Sequence, residues 1–378
     1  MNVSPSERSE RLHVLTHKRL NMNLREKIKF NGDKGILAIT IVLSLISVLA
    51  VLSSARSTHV FVHHLINIAL CFAGMFVAYK INYRALSRLA IISLILAAVL
   101  LFATLVFGND DRRGIKIGSM EIQTFYFVGF LVIFFISKFL AVRINNESDM
   151  TLQDVSGLFI VVLLFTGGMA LSNMSTAIIF FTTSLAIMFL GNVKNKHLLL
   201  FCTVAILFGS IYLFGTNKGR SSTFRHRCHY YITNDNSEGY GDQMIKSKAA
   251  IARSGLLPAG PGQGVISKNL PEKDTDYVFT TVTEELGITA SLLILICYLI
   301  LFYRSILIAK RAEGPFGMLL AVGIGFWFCC QGLVHIGVNC GLLPATGQTL
   351  PFISRGGASL LFAGIATGVL LNISKQEA

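Results

Sequence analysis

Five carboxylates crowd one polar stretch of an otherwise apolar chain: Glu272, Asp274 and Asp276, then Glu284 and Glu285. Carboxylates held against a bilayer are costly, so each is a functional candidate by default. A carboxylate partly shielded from water has its pKa raised, which suits a general base. Asp276 is the candidate for that role. On a helix, Asp276, Thr280, Thr283 and Glu284 would share a face. Spacing alone leaves a second reading open, because Asp is among the best helix N-caps. Thr281-Val-Thr-Glu284 also fits a capping box. Caps account for one or two of these acidic residues and leave the rest unexplained.

Cations and irregular backbone flank the carboxylates. Arg113 and Lys116 lie in the segment 108–121, and Arg225, Arg227 and Lys268 lie in a long loop that ends near Asp276. Such cations either touch anionic lipid or form a funnel for phosphates. Within the loop, Gln243, Ser247 and Ala250 recur at helical spacing, which predicts a short amphipathic helix. The Gly260-Pro-Gly-Gln-Gly264 run predicts a tight turn and lacks the Lys-Ser/Thr of a P-loop. From Asn339 to Gly357, two prolines and four glycines predict irregular backbone at a membrane border. Such backbone is tolerated only when buried in protein or lining a wet cavity. It is either a structural hairpin or a cavity wall that turns Thr346 and Ser354 to a substrate. His226, Cys228 and His229 lack a fourth ligand at zinc-type spacing, so no metal site is expected there.

The elements that must hold these residues are membrane spans. The chain has 378 residues, 53% hydrophobic and 14% charged, with mean hydropathy +0.63. Soluble chains carry about 25% charged residues. The expected class is all-α: a polytopic membrane protein of about ten transmembrane helices with one large extracytoplasmic loop. Runs long enough to span fall at 35–54, 60–79, 86–107, 122–142, 155–172, 174–191, 198–215, 279–303, 316–339 and 356–373. Only Asn173 and its neighbours divide the fifth from the sixth, and one re-entrant hairpin would read similarly. Residues 1–34 read as a polar cytoplasmic tail without a signal peptide, 35–378 as the membrane domain, and 216–278 as a periplasmic loop carrying part of the active site. With the tail inside, the short inner loops hold Lys80, Arg84, Arg88, Arg143, Lys194, Lys196, Arg304, Lys310 and Arg311, as the positive-inside rule asks. An even number of spans then puts both termini in the cytoplasm. Part of the formal charge of +13 is therefore topology.

Leu270-Pro-Glu-Lys-Asp-Thr-Asp276-Tyr-Val-Phe, Glu284-Glu-Leu-Gly287 and Gly341-Leu-Leu-Pro-Ala-Thr-Gly-Gln-Thr-Leu-Pro-Phe-Ile-Ser-Arg-Gly-Gly357 resemble the signatures of the SEDS family (shape, elongation, division and sporulation), which includes FtsW and RodA. The resemblance covers all ten spans and is more FtsW-like than RodA-like. It implies a peptidoglycan glycan-strand polymerase acting on lipid II at the outer face of the bacterial inner membrane, in cell division. Asp276 matches the family's catalytic Asp. The resemblance also implies inverting transfer, undecaprenyl-pyrophosphate-linked glycan as the growing chain, and a class B penicillin-binding protein with other divisome membrane proteins as partners, with no nucleic acid. No cofactor is required by it; Mg or Mn has room to assist the pyrophosphate, although no ligand set is visible. The substrate contacts expected are Arg113, Lys116, Arg225, Arg227, Gln243, Ser247, Lys268, Glu284, Glu285, Thr346 and Ser354. The chain departs from the family pattern at Gly114, where Trp is usual, at Tyr126 for Glu, at Asn173 for Asp, at Asp274 for His and at Arg355 for Tyr. Two other classes compete: a lipid II flippase, and a non-enzymatic scaffold for a penicillin-binding protein.

Overall fold

A backbone that crosses hydrocarbon must satisfy its own N–H and C=O groups, and helices do so within one segment. The computed structural model describes residues 30–54, 57–108, 114–117, 120–146, 151–215, 220–233 and 240–375. Ten apolar helices run through them: α1 (Lys34–Ser54), α2 (Thr58–Lys80), α3 (Tyr83–Phe107), α4 (Phe125–Asn145), α5 (Leu152–Ala170), α6 (Met174–Leu190), α7 (Asn195–Gly215), α10 (Val278–Arg311), α11 (Pro315–Asn339) and α12 (Gly357–Ser374). Nine are long and apolar enough to span; α6, with 17 residues, is shorter. α5 and α6 are separate helices, and the Asn173 side chain caps α6 by accepting from the Thr176 N–H at 3.2 Å. Two further helices, α8 (Arg220–Thr233) and α9 (Tyr240–Arg253), build the long loop between α7 and α10. The described residues of the loop are largely helical up to Arg253, and α9 buries Met244, Ser247 and Ala250.

One small element departs from the all-α expectation. Ile115–Ile117 (β1) pairs antiparallel with Met120–Ile122 (β2), with Lys116 opposite Glu121. Apolar–charged–apolar alternation on both sides of Gly118-Ser119 explains the hairpin.

Both ends of the membrane domain meet at one end of the bundle. The Asp33 N–H donates to Ser374 Oγ at 2.8 Å, and the Asp33 carboxylate pairs with Arg304 at 2.8 Å. α12 and α2 pack backbone against backbone. A Cβ on Gly364 would lie 2.1 Å from the Cys71 carbonyl oxygen, and one on Gly368 2.3 Å from that of Met75. This Gly-x-x-x-Gly spacing lets membrane helices approach closely.

The eighth expected run, 279–303, lies inside one longer helix with a kink. α10 has 34 residues, well beyond the ~20 a span needs. Gly287 breaks it at φ +84°, ψ 168°. Residues 278–286 form a short helical segment on one side of the break and 288–311 a longer one on the other. The chain at Leu256–Leu257 crosses there, so a Cβ on Gly287 would meet its backbone at 2.8–2.9 Å. The Ile288 N–H donates to the Gly255 carbonyl at 3.0 Å, and the Gly260 N–H to the Glu285 carbonyl at 2.9 Å. The kink thus docks the 255–264 loop onto α10.

Gly262 also has positive φ, +77°, but open space around its Cβ direction. Gly262→Ala should cost about 1 kcal/mol of left-handed strain, whereas Gly287→Ala adds a backbone clash and should lower the thermal midpoint in detergent further. Equal shifts would mean that the loop does not press on the kink.

Candidate functional site

Asp276 sits on a turn outside any helix. The turn closes on itself, with the N–H groups of Thr275 and Tyr277 both donating to the Glu272 carbonyl at 3.2 and 3.0 Å. Three consecutive carbonyls are then held from outside. Asp274 O accepts from the Arg355 N–H at 2.8 Å, Thr275 O from Ser354 Oγ at 2.7 Å, and Asp276 O from Asn339 Nδ2 at 3.0 Å. Asp276 itself is half-buried at the outer end of α10.

Asp276 lies one residue before the N-cap of α10. The N-cap position of α10 belongs to Tyr277, which makes no side-chain capping bond. The Thr281–Glu284 capping box does not form either. Thr281 Oγ1 donates to the Lys273 carbonyl at 2.8 Å, and Glu284 accepts three backbone N–H groups of the Gly-rich loop, from Val265, Ile266 and Ser267, at 2.8–3.1 Å. Glu285 accepts from Ser53 Oγ, which in turn accepts from the Gly262 N–H at 2.8 Å. Both glutamates are buried. Expected as substrate contacts, they are placed in the scaffold that fastens residues 260–267 to α10 and α1.

Other expected contacts divide in the same way. Ser247 is fully buried and donates to the Asn339 carbonyl at 2.8 Å, and Ser354 is buried between Leu350 and Thr275. These two are structural, because small hydroxyls at helix contacts satisfy backbone groups that water cannot reach. Gln243 is half-buried on α9, and Lys268 is exposed beside the turn. Arg225 is half-buried on α8. Arg113 lies outside the described residues, as does the side chain of Lys116. Burial pushes the Cys228 thiol above its ordinary pKa, the wrong direction for a thiolate ligand.

Arg227 and Thr346 do come together. They line one small pocket of about 30 Å³ with Ser172, Asn173, Met174, Thr223 and Phe224, and Arg227 Nη1 donates to the Ala345 carbonyl at 3.3 Å. An apolar cavity of about 810 Å³ lies between α5, α6 and α7. Met174 lines both. α7 is the least buried of the ten helices, with Leu199, Ile206, Ile211 and Phe214 each at least 66% exposed. The cavity wall is therefore thin on the side that lipid would cover.

The irregular segment 344–356 runs as a strap from this pocket to the Asp276 turn. Its carbonyls are held by side chains from several helices: Ala345 by Arg227, Gln348 by His335 Nδ1 at 2.7 Å, Thr349 by Gln331 at 3.0 Å, Pro351 by the Tyr298 hydroxyl and Ile353 by Ser47 at 2.7 Å. This is how non-helical backbone survives at membrane depth. Departures from the family pattern are absorbed here. Tyr126 meets Thr349 Oγ1 at 2.9 Å, and Gln348 Nε2 donates to Asn173 Oδ1 at 3.1 Å and Thr176 Oγ1 at 2.7 Å.

Sequence reasoning missed Asn339, Gln348 and Arg355. Asn339 is fully buried and makes all four bonds of an amide. Oδ1 accepts from Thr280 N–H at 3.1 Å and Thr280 Oγ1 at 2.7 Å, while Nδ2 donates to Asp276 O and, at 2.9 Å, to His335 O. An Asn at the end of an apolar run reads as a helix terminus, so only its partners reveal it. Asn339→Asp removes both donors at nearly constant volume. It should destabilise the protein by about 1–3 kcal/mol, read as a lower thermal midpoint; an unchanged midpoint would show that the amide is not the tie.

Comparison with known proteins follows the geometry. The family of FtsW, RodA and SpoVE, described as "Cell cycle protein", matches residues 33–378. A Coxiella burnetii protein named "Probable peptidoglycan glycosyltransferase FtsW" is 31% identical over 94% of this chain and 99% of its own length. Stage V sporulation protein E of Bacillus subtilis is 32% identical over 82% of this chain and 86% of its own. Two solved structures share the fold. A chain from work titled "Structural coordination of polymerization and crosslinking by a peptidoglycan synthase complex" has a TM-score of 0.76 at 20% identity, covering 92% of this chain and 98% of that one. The rod shape determining protein RodA of Thermus thermophilus has a TM-score of 0.68 at 18% identity, covering 92% and 97%.

Proposed function

The chain belongs to the FtsW/RodA/SpoVE family of cell cycle proteins, and from that premise we propose that it is a membrane-embedded peptidoglycan glycosyltransferase that polymerises lipid II. One observation carries the reading. A single strap, residues 344–356, holds the Asp276 turn at one end and lines the Arg227 pocket at the other. The candidate base and the candidate anion pocket are thus joined by one short segment.

The chemistry follows from those parts. The donor's isoprenoid tail lies in the apolar cavity between α5, α6 and α7, entering from the bilayer past α7. Its pyrophosphate is held by Arg227 and Thr346. Asp276 takes the proton from the acceptor sugar's 4-hydroxyl as that oxygen attacks the anomeric carbon. The new bond forms between the acceptor oxygen and the anomeric carbon, the bond from that carbon to the pyrophosphate oxygen breaks, and lipid pyrophosphate leaves with the electron pair. Arg227 stabilises the charge that develops on the leaving group. One base and no covalent intermediate give inversion.

The short loops at the Asp33–Ser374 end carry the cationic excess, so that end is cytoplasmic and the turn faces outward. The carboxylates of the site cluster at one helix end, whereas a transporter would set charge near the midplane. The proposed partner is a class B penicillin-binding protein, because a glycan strand made at the outer face needs cross-linking there. The FtsW-like relatives favour a role in division.

Purified protein given labelled lipid II should yield glycan polymer, and a class B penicillin-binding protein should raise the yield. Arg227→Ala removes a charge-assisted contact and should cost ten- to a hundred-fold, or about 1.5–3 kcal/mol. Absence of polymer under both conditions would refute the activity, and wild-type turnover in Arg227→Ala would refute the pyrophosphate pocket.

A further inference from the structure

We infer that Arg355 is a positioning residue for the candidate base, holding the Asp276 turn through an ion pair with Asp274. The inference rests on the reading of Asp276 as the proton acceptor. Arg355 grips Asp274 twice: its N–H donates to the Asp274 carbonyl at 2.8 Å, and its Nε lies 2.8 Å from Asp274 Oδ2. This grip on the turn carries charge. Ser354 and Asn339 hold the neighbouring carbonyls through neutral bonds.

The pair is asymmetric in a useful way. The Asp274 side chain is 12% exposed and that of Arg355 38%. A carboxylate so shielded is costly without its partner, while the guanidinium keeps part of its hydration. Losing Arg355 therefore leaves a nearly buried charge two residues from Asp276, and the turn must open to hydrate it. A base misplaced by about 1 Å can lose as much as two orders of magnitude in rate, although binding of the donor elsewhere is untouched. Arg355 also begins the step into α12, whose first helical residue is Gly357. Asp274 and Arg355 both depart from the family pattern, and the structure pairs them. Asp274 is accordingly no neutral neighbour against which to measure Asp276.

The test compares Arg355→Gln, Asp274→Asn, the double variant, Arg355→Lys and the exposed control Asp242→Asn in the polymer assay, with hydrogen–deuterium exchange of peptides covering 272–277. Arg355→Gln should lower kcat about tenfold with KM within about twofold, and exchange in the turn should quicken. Asp274→Asn should do the same, and the double variant should be no worse than either single. Arg355→Lys, which keeps a cation near Asp274, should recover most of kcat, and Asp242→Asn should match wild type. A rise in KM with kcat and exchange unchanged would make Arg355 a substrate contact and overturn the inference. Additive losses, or Lys no better than Gln, would also overturn it. If the wild type makes no polymer, the activity reading fails on its own. The exchange arm then still decides, because unchanged exchange in Arg355→Gln overturns the positioning role.

Discussion

Asn339, buried on α11, ties that helix to α9, to α10 and to the turn that leads into α10. Its Oδ1 takes both donors of Thr280, its Nδ2 donates to the Asp276 and His335 carbonyls, and its own carbonyl takes the Ser247 hydroxyl. α9, α10, α11 and the Asp276 turn therefore share one fully satisfied hub. In a water-excluded interior each of these groups would be expensive to leave unpaired. A satisfied polar network of this kind is cooperative and rigid. Asp276 inherits its place from that rigidity rather than from a helix of its own.

Two further constraints converge on the same turn. Gly287 lets residues 278–286 of α10 turn away from residues 288–311, which makes room for the 255–264 loop. Glu284 and Glu285 then fasten that loop, one to three backbone N–H groups and the other to Ser53 on α1. The strap 344–356 closes the remaining side. A carboxylate on a turn so held suits the fixed geometry that the proposed general-base role would require.

The spans were legible because hydropathy over about 20 residues is a strong signal, and it returned ten helices in the right places. The family was legible in the motifs around Asp276 and in the 341–357 stretch. Roles within those motifs were not. Glu284 and Glu285 look like catalytic carboxylates in one dimension, and only folding shows that residues 260–267 return to occupy them. Arg227 and Thr346 lie far apart in sequence, yet each was chosen for its chemistry and the fold unites them in one pocket. Asn339, Gln348 and Arg355 carried no signal, since a neutral amide or a loop arginine is defined by what it touches. The Ile115–Ile122 hairpin was hidden by its length, three residues a strand.

The central claim is that Asp276 removes a proton from the acceptor. Its direct test is single-turnover polymerisation of labelled lipid II by purified Asp276→Asn, with donor binding measured on the same preparation. The substitution leaves in place the backbone carbonyl that Asn339 holds, so the turn and the fold should persist. The account predicts wild-type melting and wild-type donor binding, with polymerisation reduced by about 10²–10⁴-fold. Near-normal glycan synthesis by that variant would contradict it.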